Sequence, residues 1–166
     1  IYTGCRSSAA SDVYKRQVET MGATRQALPQ PMAQELAPGW TRVAVCGAHM
    51  SGLPLNHQLT DRGAYLLEKT HSSENYRLYA LPGGPPFRPG MLRDVGGAAI
   101  EIEVWAIPLD QFGSFVAGIP APLGIGMLET ASGEWLQGFT CESFAVAEAT
   151  EITDLGGWRA YLEQQS

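Results

Sequence analysis

Lysine is almost missing from this chain. Nine of its eleven basic residues are arginine, and 17 acidic residues give a formal net charge of −6. No run of basic residues occurs, which argues against a nucleic-acid partner and against an anionic membrane surface. No stretch approaches about eighteen consecutive apolar residues, so no bilayer-spanning helix is expected. There are three cysteines (Cys5, Cys46 and Cys141), an odd number without metal-ligand spacing. They suit buried thiols in a reducing, cytoplasmic compartment; a Cys46–Cys141 disulfide is the other arrangement the count allows. The familiar site motifs are missing too. "GAHMSG" has neither G-x-G-x-x-G nor P-loop spacing, no H-E-x-x-H or C-x-x-C is present, and there is no G-x-S-x-G elbow or serine-rich amidase nucleophile. Neither a metal nor a cofactor is expected.

What is present fits one globular domain with tails. The chain has 166 residues, 45% of them apolar, which is enough for a sizeable core. "IYTGCRSSAASDVYKRQ" opens on Ile and has no apolar signal-peptide core. It is similar to adapter read-through at the ends of assembled reading frames, and residues 1–17 are expected to be a non-native leader. Setting aside Arg6, Lys15, Arg16 and Asp12 leaves eight basic and sixteen acidic residues, a net of −8. Residues 18–40, with three prolines, read as a linker. Residues 41–166 are expected to form the domain.

Hydrophobic periodicity gives the elements. "TRVAVCG" is a strand, and "LNHQLTDRG" is a short helix closed by Gly63. "AYLLEKT" reads as a strand, with a helix as the alternative. "YRLYALP" is a strand, "GGPPFRPG" a loop, and "AAIEIEVWAI" the clearest strand of all. The last places Ile100, Ile102, Val104 and Ala106 on one face and Glu101, Glu103 and Trp105 on the other. The two glutamates are expected on a solvated face. "LDQFGSFVAGI" is a helix with Leu109, Phe112, Phe115 and Val116 inward. "IPAPLGIG" reads as a turn-rich loop, the next segment as a hairpin around Ser132-Gly133, and "GGWRAYLEQQ" as a final helix. Together these predict an α+β domain, a small and mainly antiparallel β-barrel with flanking helices.

The chemistry concentrates after the first strand, in "VAVCGAHMSGLPLNHQL". His49 stands where a strand gives way to a glycine-containing turn, a place where side chains meet cavities and N–H groups are free. Gly47 and Gly52 would let a ligand approach the backbone. Asn56 and Gln58 add polar groups, with helix capping as their alternative role; hydrogen bonding to a loop carbonyl is the alternative for His49. His57 and His71 are expected in solvent. Arg77 and Tyr79 share a strand face and could grip an anion, Arg as a bidentate donor, or else form a rim ion pair with Glu101 or Glu103. Tryptophans 105, 135 and 158 are assigned to the core.

Five segments in one order carry a resemblance: "VAVCGAHMSGLPLNHQLTDRG", "YRLYALPG", "GGAAIEIEVWAIP", "IPAPLGIG" and "GGWRAYL". Over residues 42–163 the chain resembles the carboxy-terminal domain of the allophanate hydrolases. The resemblance implies a γ-glutamyl-cyclotransferase-like fold. In that superfamily a Tyr-Gly-Ser-Leu turn cradles the substrate, and Cys46-Gly47-Ala48-His49 occupies its place here. The catalytic Glu of the cyclotransferases matches "VAGIPAP", which has no carboxylate, so cyclotransferase chemistry is not expected. The resemblance implies instead a role in urea degradation. There an amidase half, absent from this chain, leaves N-carboxycarbamate, and this domain speeds its loss of CO2 with His49 as the matching histidine. The expected ligand is then a small anionic carbamate, bound by Gly47, Ala48, Gly52, Asn56, Gln58, Arg77 and Tyr79. The alternative is a non-catalytic assembly domain of the larger amidase. A homo-oligomer is compatible with either role.

Overall fold

The computed structural model describes residues 36–165. The leader expected over 1–17 lies outside them, as does most of the linker expected over 18–40. The described chain forms β1 (Trp40–Val45), α1 (His57–Thr60), β2 (Tyr65–His71), β3 (Tyr76–Ala80), β4 (Pro89–Arg93) and β5 (Glu101–Pro108). It continues with α2 (Leu109–Ala117), β6 (Leu123–Glu129), β7 (Trp135–Cys141), β8 (Thr150–Glu151) and α3 (Trp158–Gln164). Five strands make one sheet in the order β2-β5-β1-β7-β6, and three make a second in the order β4-β3-β8. Every pairing is antiparallel except that of β1 with β7. The fold is α+β, as the periodicity predicts. Among the described residues no helix is long and apolar enough to cross a membrane.

In place of a closed barrel, the structure has a five-stranded sheet whose two edges are joined at one end by an isolated bridge. Ser72 of the β2 edge bridges Thr130 beyond the β6 edge. Ser73 N–H donates to the Glu129 carbonyl at 2.8 Å, and Ala131 N–H to the His71 carbonyl at 2.9 Å. The Tyr76 hydroxyl, on a fully buried side chain, accepts the Glu129 N–H at 2.8 Å. Joining the edges satisfies backbone groups that would otherwise face solvent. Tyr76 opens β3, so the second sheet is tied to this junction through its hydroxyl.

Two elements differ from the sequence reading because glycine and proline are used inside strands. Leu123–Gly126, expected in a loop, belong to β6 and pair with β7 in unbroken register from Leu123↔Cys141 to Glu129↔Trp135. Gly126 sits opposite Gly138, and a Cβ at Gly126 would stand 3.1 Å from Thr140 Oγ1, so the small residue serves close packing rather than a turn. Pro89 and Gly90 open β4, an edge strand, where a missing N–H is tolerated. In α2, Phe115 is buried and Phe112 packs on the core, but Leu109 opens the helix at the sheet rim and is 59% exposed. Trp105 and Trp158 are buried, whereas Trp135 is 42% exposed, with the Arg93 guanidinium 4.5 Å from its ring centroid.

The largest departure concerns Glu103, expected on a solvated face and in fact fully buried. Both faces of β5 are covered. One carboxylate oxygen of Glu103 accepts Ser51 N–H (2.7 Å), Ser51 Oγ–H (2.9 Å) and Trp105 Nε1–H (3.1 Å). The other accepts Arg159 Nη2–H at 2.8 Å. Arg159, on α3, also donates to Glu101 Oε1 (2.7 Å) and to the Ser51 carbonyl (2.9 Å). Burial alone would push the Glu103 carboxyl up, but these hydrogen bonds outweigh it and hold it below its ordinary value.

Removing Arg159 should leave the buried carboxylate without its hydrogen-bonded cation, with only the exposed Lys69 ammonium 3.7 Å away. Arg159→Met is expected to cost about 3 kcal/mol in urea unfolding, against less than about 1 kcal/mol for Glu101→Gln, whose carboxylate is partly exposed. A cost below about 1 kcal/mol for Arg159→Met would contradict this account. Because folding lowers the Glu103 value, its contribution is complete above pH 4.5 and is lost as pH falls through the folded value.

Candidate functional site

β1 leaves the sheet at Val45, and the chain turns back over Cys46–Leu55. Three backbone bonds shape the turn: Met50 N–H to Gly47 O (2.9 Å), Leu53 N–H to Met50 O (3.0 Å) and Leu55 N–H to Ala48 O (2.9 Å). None of them uses the N–H of Ala48 or His49. Glu103 anchors the turn through Ser51 from below. Gly47 has a packing reason: a Cβ there would lie 2.5 Å from the Pro89 ring. Its α-carbon therefore faces β4 and not a ligand. Gly52 has φ +79° with open space around it, and it lines none of the cavities beside His49. It serves the turn's geometry.

His49 is half-buried among aromatic rings. Its imidazole lies 4.9 Å from the Phe139 centroid and 5.3 Å, edge-on, from that of Phe115. Nε2 stands 3.0 Å from Gln58 Oε1, the side chain sent up by α1. Asn56 Nδ2–H donates to the His49 carbonyl at 2.8 Å, so Asn56 holds the residue's backbone and does not cap the helix. Burial pushes the imidazole below its ordinary value of 6.5; the Gln58 bond opposes this, while His57 and Arg62 add to it. The free site therefore holds a neutral histidine at pH 7. His57 is exposed and bonded to the Pro54 carbonyl at 2.9 Å, and His71 is exposed at the end of β2.

A cavity of about 210 Å³ opens on His49 and Gln58. Its other walls are Leu55, Pro86, Arg88, Gly118, Ile119, Pro120, Leu123 and Phe139. A notch of about 20 Å³ adjoins it against Cys46, Gly47, Ala48 and His49, room for about one water-sized atom. Beyond Arg88 and Leu123 lies an open groove of about 460 Å³ that includes Phe144 and Glu148. An apolar cavity with a few convergent polar groups is the usual form of a small-molecule site, and this one is smaller than the ~300–1,000 Å³ of drug-sized pockets. Among the described residues, no cluster of His, Cys, Asp and Glu could hold a metal ion.

The structure brings His49, Gln58, Ala48 and the Gly47 backbone together, and it places Arg77 and Tyr79 elsewhere. Arg77 Nε pairs with Asp94 Oδ2 at 2.8 Å, and its Nη1 with Glu151 Oε1 at 2.9 Å. Tyr79 sits opposite Glu151 on the same small sheet, and burial, then Glu151, pushes its hydroxyl up. Neither residue lines the cavity. Arg77 does form an ion pair, but with Asp94 and Glu151 and not with Glu101 or Glu103. The cation at the cavity is Arg88, which lies in a segment whose prolines and glycines predict a loop. One signal could have found it: no acidic residue lies within five positions of Arg88 in sequence. Cys46 and Cys141 are free and buried, and burial pushes them up to about 12 and about 11, so both are inert thiols at neutral pH.

The comparisons with known proteins agree on one family. Residues 41–163 match the family model of the allophanate hydrolase C-terminal domain. The urea amidolyase of Saccharomyces cerevisiae is 45% identical over 127 residues, which are 74% of this chain and 7% of that protein. The solved structure of Kluyveromyces lactis allophanate hydrolase is 44% identical, with a TM-score of 0.73, over 76% of this chain and 21% of that one. That of c4763, a uropathogenic E. coli-specific protein, is 33% identical, with a TM-score of 0.70, over 75% of this chain and 96% of that one. The chain thus spans a small part of the curated relatives it matches and nearly the whole of c4763. It belongs to the allophanate hydrolase C-terminal domain family.

Proposed function

We propose that this domain serves urea degradation by speeding the loss of CO2 from N-carboxycarbamate, after an amidase domain has released ammonia from allophanate. The observation that carries this reading is the small apolar cavity on which His49, Gln58 and an arginine converge. The reaction breaks the bond between nitrogen and one carboxylate carbon. The electron pair stays on nitrogen, which takes a proton from the His49 imidazolium; the products are carbamate and CO2. Gln58 orients the ring, and Asn56 fixes the backbone that carries it.

The neutral state of His49 in the free site is compatible with this role. A dianion within about 4–6 Å favours the charged imidazole, so the histidine gains its proton as substrate enters. The apolar walls help in the same direction, because a carboxylate that becomes neutral CO2 loses its need for solvation. Two buried free thiols suit a reducing, cytoplasmic setting. The second reading is an assembly domain, and the exposed Phe144 beside the large groove is the feature that favours it.

The chain should accelerate CO2 release when N-carboxycarbamate is supplied by a separate amidase domain. His49→Ala should keep the circular dichroism of the fold and lose about 10²–10⁴-fold of that acceleration. His49→Gln should behave alike, since an amide donates a hydrogen bond without releasing its proton. Equal rates for wild type and His49→Ala would remove the acid role. No acceleration by wild type would leave the assembly reading.

The pH profile gives a second check. The background-corrected kcat/KM reports the free site, so it should fall as pH rises through a value below 6.5. The corresponding fall in kcat should come at higher pH, because bound dianion stabilises the imidazolium. A kcat/KM that climbs as pH is raised past that value would contradict the mechanism.

A further inference from the structure

We propose that Arg88 is the anion anchor of the His49 cavity, holding the carboxylate that remains on the product; this assignment rests on the reaction proposed above. The first observation is a census of cations. The described residues include seven Arg and Lys side chains. Arg42 is paired with Glu134, Lys69 with Glu103, Arg77 with Asp94 and Glu151, Arg93 with Glu129, and Arg159 with Glu101 and Glu103. Arg62 donates to the Ser114 hydroxyl and the Gln58 carbonyl. Only Arg88 has neither an ion pair nor a side-chain hydrogen bond among the described residues. Glu148, across the open groove, is not within ion-pairing distance of it.

The second observation is place. Arg88 lines the notch at the turn, the His49 cavity and the groove beyond. Its backbone is pinned there. The Arg88 carbonyl accepts the Leu81 N–H at 3.2 Å, and the next residue, Pro89, packs its ring on Gly47 of the His49 turn. Arg88, without an ion pair or a side-chain hydrogen bond among the described residues, thus lines both the notch and the cavity that share His49.

The chemistry decides which carboxylate it takes. A bidentate guanidinium stabilises a localised negative charge. On the departing carboxylate this would oppose the change to neutral CO2; on the other it fixes the substrate and leaves the reacting end among apolar walls. The cavity should therefore favour a small anion with two carboxylates one atom apart, one on Arg88 and one towards His49. Because the whole protein is acidic, this single cation must also overcome long-range repulsion.

The test is calorimetric titration of the 166-residue chain with malonate, the methylene isostere of N-carboxycarbamate, at pH 7 and low salt. Wild type should bind at one site. Arg88→Met should weaken binding about 10–100-fold. Arg88→Lys should fall between the two, because the charge remains while the planar fork is lost. Arg93→Met, at the far end of β4 and paired with Glu129, should bind like wild type. Unchanged affinity in Arg88→Met overturns the anchor and leaves the reaction standing. Absence of wild-type binding overturns the anchor as well, whatever the CO2 assay returns. Arg88-dependent binding without any acceleration of CO2 release keeps the anchor and removes the reaction.

Discussion

A single buried carboxylate organises this domain. Glu103 sits in the middle of β5 with no exposure, and an unpaired charge there would cost several kcal/mol. Four hydrogen bonds offset that cost, and they come from three different parts of the chain: Ser51 in the turn after β1, Trp105 on β5 itself, and Arg159 on α3. Arg159 closes the circuit by donating to the Ser51 carbonyl. The turn that carries His49 is therefore held between the central sheet and a helix more than a hundred residues downstream. Contacts of such separation form late, after much loop closure has been paid for. The candidate site is thereby coupled to completion of the whole fold.

From that anchor the site follows by short steps. With Ser51 fixed, the turn projects His49 between Phe115 and Phe139, where burial keeps the imidazole neutral. The bare α-carbon of Gly47 lets Pro89 approach, and Pro89 brings Arg88 with it. Gln58 arrives from the short helix α1 and meets the ring. The result is a cavity in which two polar side chains and a cation stand out against apolar walls, in a protein whose net charge is of the wrong sign to attract an anion from afar. Local placement does what global charge cannot.

Much of this was legible in the sequence, and the exceptions have physical causes. The alternation of Ile100, Ile102 and Val104 located β5, and the Gly-containing turn after Val45 located His49. Alternation also implied a wet face for Glu103, because nothing local indicates that α3 will fold over it. The β6 strand was hidden by glycines that allow strands to approach, and β4 by a proline tolerated at an edge. Arg77 looked like the anion ligand since it lies on a clear strand beside Tyr79; its partners Asp94 and Glu151 are 17 and 74 positions away and become neighbours only through the sheet. Arg88 was overlooked because it lies in a segment whose prolines and glycines say loop. In each case the missing knowledge was of what packs on top, which periodicity along one element does not contain.

The account's central claim is that His49 belongs to a small-anion site, and the ring's own titration tests it most directly. The imidazole value of His49 should be measured by NMR in the chain alone and then with malonate. The expected result is a free value below 6.5 that rises when the dicarboxylate binds. A free value at or above 6.5, or one that ignores malonate at saturating concentration, would contradict it.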